Sequence, residues 1–144
     1  MAERRAELFF AYLEEALRVL SVEAPRQFVA MREQLGPLAI SIEVADAPPR
    51  RLCLTESSWL SRAGAADVQV SLTQANLDAF LRGELTLEQG LSASRLAIRG
   101  PLDDVLACLD ALQSWLHGAL RSPSAPTLHR RYLDGQDPPT FRDA

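Results

Sequence analysis

The chain has 144 residues, 47% apolar and 24% charged, with a net charge of -4, the proportions of a single globular domain with room for a core. No run of ~18 apolar residues occurs, so no membrane-crossing helix is expected. All 15 basic residues are arginine, which removes Schiff-base and phosphate-loop lysines, and the acidic balance without a basic cluster argues against a nucleic-acid partner.

At the N-terminus Arg4 and Arg5 precede an apolar region, but Glu7, Glu14 and Glu15 interrupt it. It is therefore read as mature structure rather than a signal peptide, and a cytoplasmic protein is expected. Within residues 3–20, Phe9, Tyr12, Leu13, Ala16 and Leu20 recur at helical spacing. A second helix is expected from Pro25, burying Phe28, Met31 and Leu35 and stopping at Gly36-Pro37. The period then changes to two. Leu38, Ile40, Ile42 and Val44 share a face; so do Leu52 and Leu54, then Val68, Val70 and Leu72, then Leu96 and Ile98. Strands with one wet and one dry face favour a mainly antiparallel sheet covered by helices on one side, an α+β fold. The first two strands would form a hairpin across Asp46-Ala47-Pro48-Pro49. A fifth strand is sought in "SSWLSRA", around Trp59 and Leu60.

Between the third and fourth clear strands, "TQANLDAFLRG" reads as a helix capped by Thr73 and stopped by Gly83. "TLEQ" is a capping-box signature, with Thr86 as cap and Gln89 reaching back. Gly100-Pro101 opens a long helix with Asp103 and Asp104 in its first turn. On it Leu102, Val105, Leu106, Leu109, Leu112, Leu116 and Leu120 form one stripe, widened by Cys108, Trp115 and Ala119. The domain is expected to span residues 1–121. Residues 122–144, rich in proline and without periodicity, are expected to be an extended or disordered tail whose Leu128, Tyr132 and Leu133 are free to dock.

No catalytic motif emerges. The chain lacks G-x-S-x-G, H-E-x-x-H and a glycine-rich phosphate loop. His117 and His129 have no partner at a ligand-like spacing, and Asp103, Asp104 and Asp110 read as a solvated helix face. Cys53 and Cys108 form neither a disulfide framework nor a zinc pattern and read as buried thiols. No metal, no cofactor and no enzymatic activity are expected.

From about Ala65 to Leu120 the chain resembles the sterol carrier protein 2 family. "ADVQVSLTQANLDAFLRGEL" looks like that family's strand-then-helix segment, "LSASRLAIRG" like its final strand, and "PLDDVLACLDAL" like its closing apolar helix. Residues 3–64 fit by element order. Two positions depart: Ser94 stands where the family usually has glycine, and Pro101 where an acidic residue often follows Gly100. The resemblance implies an α/β sandwich with a five-stranded, largely antiparallel sheet and an apolar tunnel between sheet and helices. It also implies non-enzymatic binding or carrying of a fatty acid, acyl-CoA, sterol or other lipid.

The walls of such a tunnel are expected from Val70, Leu72, Phe80, Leu81, Leu85, Leu87, Leu91, Leu96, Ile98, Leu109, Leu112, Trp115 and Leu116, with Arg82 or Arg95 meeting an acidic head group. The alternative is an interaction module, the same fold with a filled core acting as a docking platform or scaffold, cued by the proline-rich tail with Tyr132 and Leu133 and by the spare apolar shoulder of the last helix. Some relatives of the family the chain resembles assist enzymes of lipid-quinone biosynthesis, so the two roles can coexist. Either reading leaves a transient membrane or protein partner open.

Overall fold

The computed structural model describes residues 2–45, 47–62 and 64–138. Helices α1 (Ala2–Glu23) and α2 (Pro25–Leu35) lead into strands β1 (Ile40–Val44), β2 (Arg50–Leu52), β3 (Leu60–Arg62) and β4 (Val68–Leu72). Helices α3 (Gln74–Leu81) and α4 (Leu87–Ser92), strand β5 (Leu96–Arg99), and helices α5 (Leu102–Arg121) and α6 (Ala125–Leu133) complete the chain. The five strands form one sheet in the order β3-β2-β1-β4-β5. Every pair is antiparallel except β1 with β4. The fifth strand is Leu60–Arg62, inside the stretch where it was sought.

Register explains the alternation in sequence. Ile40 lies opposite Leu52 and Val68, Ile42 opposite Val70, Val44 opposite Leu72, and Val70 and Leu72 opposite Ile98 and Leu96. One apolar face is thus continuous across the sheet, and the helices pack on it. Ser41, Gln69 and Arg99 fall in register on the other face. Asp67 fixes the one parallel pairing: its carboxylate accepts from the Ala39 N–H at 2.9 Å, and its own N–H donates to the Ala39 carbonyl at 2.8 Å.

Two expectations need correction. Residues 125–133 of the expected tail are helical, and α6 buries Leu128 and Tyr132 in the core beside Phe9, Phe10 and Tyr12 of α1. The turn before α6 is held by Glu23 at the end of α1. Its carboxylate accepts from Ser122 Oγ at 2.5 Å, Ser124 Oγ at 2.6 Å and the Ser124 N–H at 2.9 Å. Burial pushes the Glu23 carboxyl up, but these bonds outweigh it and hold it below its ordinary range. Proline at its start and arginines in its last turn suit a helix, but at nine residues it is too short to stand without the core it docks on. Residues 139–144 of that stretch lie outside the described residues, as does Asp46 of the expected hairpin turn.

The second correction concerns α5. Its expected leucine stripe is buried only in part: Leu102 is 73% exposed, Leu106 49% and Leu120 86%, whereas Leu109, Leu112 and Leu116 are half-buried. Cys108, which the expected face included, is buried, and so are Ala111 and Gly118, which it did not; α5 packs chiefly on α2. Close approach selects small residues. A Cβ on Gly118 would collide with Leu20 Cδ1 of α1 and stand 3.0 Å from Gln27 Cβ of α2, inside van der Waals contact.

Candidate functional site

The sheet's apolar face contains side chains that are only half-buried although they point toward the helices: Ile42, Val70, Leu72, Leu96 and Ile98. All five line a cavity of about 210 Å³ between sheet and helices. α1 contributes Phe9, Tyr12, Leu13 and Leu17; α2 contributes Met31 and Leu35. α3 adds Asn76, Leu77, Phe80 and Leu81, and α5 adds Cys108, Leu109, Ala111, Leu112 and Trp115. The lining is therefore aliphatic and aromatic almost throughout. A cavity of ~150 Å³ with such walls stays dry and accepts benzene; this one is larger.

One flank of the cavity is wet. Thr86 and Arg95 line it and are exposed, whereas Leu17, Met31 and Leu35 line the buried side. Arg95 is fixed there by a two-way clasp with Asn76: its Nε donates to Asn76 Oδ1 at 2.9 Å, and Asn76 Nδ2 donates to the Arg95 carbonyl at 3.0 Å. Thr86 heads the capping box of α4, accepting from the Gln89 N–H at 3.1 Å while its own N–H donates to Gln89 Oε1 at 2.9 Å.

Of the side chains expected to wall a tunnel, Val70, Leu72, Phe80, Leu81, Leu85, Leu96, Ile98, Leu109, Leu112 and Trp115 come together around this cavity. Leu87, Leu91 and Leu116 are not on its wall. α4 presents Thr86 and Gly90, one turn apart, so Leu87 and Leu91 fall on the neighbouring strip of the helix. Leu116 lies a further ~100° round α5 from Trp115. Of the two arginines proposed for a head group, Arg95 lines the cavity, whereas Arg82 is exposed and ends α3 elsewhere. The expectation missed the contributions of α1 and α2. Their signal was present as the stripes with Phe9, Tyr12 and Met31, which read equally well as ordinary packing.

α3 is held over the cavity by a polar cluster. Asp78 Oδ2 accepts from Arg5 at 3.0 Å, and Asp78 Oδ1 accepts from the Tyr132 hydroxyl at 2.8 Å and from Gln74 at 3.0 Å. Arg5 also donates to the Tyr132 carbonyl at 3.1 Å. Burial raises the Asp78 carboxyl, but the bonds from Tyr132, Arg5 and Gln74 prevail and hold it below the usual range. Within the cavity, burial pushes the Tyr12 phenol up to about 12. Burial, with the Asp104 charge second, pushes the Cys108 thiol up to about 11. At neutral pH both stay protonated. Among the described residues, no group of three or more His, Cys, Asp or Glu side chains is placed to hold a metal ion.

No family model matches the chain, and no curated protein does. Solved structures do match. The apo form of Sterol Carrier Protein 2 from Yarrowia lipolytica superposes with a TM-score of 0.54 at 14% identity, over 74% of this chain and 88% of that one. A conserved hypothetical protein of Thermus thermophilus, described as a candidate sterol carrier protein, gives 0.54 at 15% identity over 90% of each chain. Sterol carrier protein domain 2 of Helicoverpa armigera gives 0.52 at 12% identity, over 69% of this chain and 84% of that one. At such identities the likeness is one of fold. The fold is sterol carrier protein 2-like: α+β, with a five-stranded, mostly antiparallel sheet.

Proposed function

We propose that the protein binds a hydrophobic small molecule, of the fatty-acid or comparable lipid class, in the cavity between sheet and helices and carries it without chemical change. The observation that carries this reading is the cavity of about 210 Å³ with an apolar lining and one fixed arginine at its wet flank. Fatty acids, acyl-CoAs and sterols share the apolar body such a wall accepts, and proteins named as sterol carriers have the same fold. An apolar occupant of the cavity adds about 0.8 kcal/mol of binding per buried methylene. The Cys108 thiol, held protonated by burial, is a poor nucleophile, which favours binding over catalysis.

A scaffold reading needs a filled core and a free tail; the cavity and the burial of Tyr132 favour the carrier instead. No described helix is long and apolar enough to cross a membrane. With both cysteines unpaired and buried, a reducing, cytoplasmic setting fits the reading. Native mass spectrometry of gently extracted protein, with titration of a fluorescent fatty acid, tests it. Co-purified lipid or saturable binding at micromolar concentration is expected; the absence of both overturns it.

A further inference from the structure

A second, much smaller cavity of about 20 Å³ lies among α1, α5 and α6. Its walls include three alanines, Ala16, Ala119 and Ala125, one from each helix. At that size it holds about one water molecule. Two side chains line both cavities, Tyr12 of α1 and Trp115 of α5. Trp115 also packs against both apolar clusters of the core, and is the only tryptophan on either cavity wall. Tyr12 and Trp115 therefore stand between the large apolar cavity on one side and, on the other, a small space lined by Val19, Leu20 and Leu128 as well as the three alanines.

Resting on the reading of the large cavity as a lipid site, we propose that Tyr12 and Trp115 form the stop that sets the length of apolar chain the protein accepts. A chain entering beside Arg95 gains contact with each added methylene until its end meets these rings. One carbon more must displace an aromatic side chain packed on two sides, so affinity stops rising there. Behind the stop, Ala16, Ala119 and Ala125 leave room that removal of the indole would join to the main chamber. The small cavity cannot take the indole itself, since it is no larger than one water. The indole therefore does not swing into it.

The test is displacement of a fluorescent fatty acid by the saturated series from octanoate to stearate, on wild type, Trp115→Ala and Trp115→Leu. In wild type, affinity should rise about fourfold per methylene and then break at one chain length. In both variants the break should move to a longer chain. Trp115→Leu keeps an apolar side chain in the core and carries the test if the alanine variant fails to melt cooperatively. Ala119→Leu added to Trp115→Ala refills the joined space and should return the break toward its wild-type position. A break at the same length in wild type and both Trp115 variants overturns the stop while leaving the lipid site standing. Failure of wild type to bind any member of the series overturns both.

Discussion

Ser94 occupies a position whose backbone suits glycine. Its φ is +56°, in the left-handed region that side chains adopt at a cost, and not the β conformation that a serine could hold without strain. The Ser94 N–H donates to the Leu91 carbonyl at 3.3 Å and the Arg95 N–H to the Gly90 carbonyl at 2.8 Å, the paired bonds of a Schellman ending for α4. Ser94→Gly should therefore stabilise the protein by about 0.5–1 kcal/mol, the relief of strain less the added chain entropy; urea unfolding checks it. Asp78 makes the opposite case. Asp78→Ala strands Arg5, Gln74 and Tyr132 and should cost about 2 kcal/mol at neutral pH. Because the folded-state carboxyl lies below its unfolded value, its contribution is present above about pH 4 and is lost as pH falls through the lower folded value. The stability gap between wild type and Asp78→Ala should thus narrow below about pH 4. A gap that stays constant into acid would show that the charge contributes nothing.

At the scale of elements, α6 supplies what α1 lacks. α1 buries Ala6, Leu8, Phe9, Phe10, Tyr12, Leu17, Val19 and Leu20, more of its circumference than one sheet-facing stripe would require. α6 covers the remainder: the Tyr132 ring lies 6.0 Å from Phe9 and 5.5 Å from Tyr12, and Leu128 is buried beside them. Tyr132→Ala should cost about 3–5 kcal/mol, as for other large buried aromatics. Tyr132→Phe, which loses only the bonds to Asp78 and Gln74, should cost about 1–2 kcal/mol. Chemical denaturation separates the two; equal losses would mean that the ring's packing is incidental. The sequence made α2, α3 and the capped α4 readable, since proline at a helix start, Thr73, Thr86 and Gly83 act through local hydrogen bonds and backbone angles. It hid α6, because a nine-residue helix is stabilised by what it docks on. It showed only part of what α5 buries. Leucines advertise a core, and Leu109 and Leu112 do line the cavity, but the closest packing of α5 falls at Gly118, against Leu20 of α1 and Gln27 of α2.

For the whole molecule, the period-two strands carried the sheet because register aligns their apolar residues across all the pairings that matter. The cavity was half legible. Its sheet, α3 and α5 walls follow from alternation and helical stripes, but a void is a property of how far apart the layers stand, which no single segment encodes. The same scale decides how affinity would divide between the two ends of a ligand. Arg95 is exposed, so an ion pair with a carboxylate is worth about 0.2–1 kcal/mol, at most about fivefold in affinity. One buried methylene is worth about as much, ~0.8 kcal/mol. The chain, not the head group, should dominate binding. Arg95→Ala should accordingly weaken a saturated fatty acid by no more than about fivefold, and leave the fatty alcohol of equal length nearly unchanged. High salt should shrink the difference between acid and alcohol in wild type and have little effect on it in the variant. Parallel titrations of the two ligands at low and high ionic strength measure this directly. Equal weakening of acid and alcohol would mean that Arg95 acts through its clasp with Asn76, shaping the wall, and not through its charge.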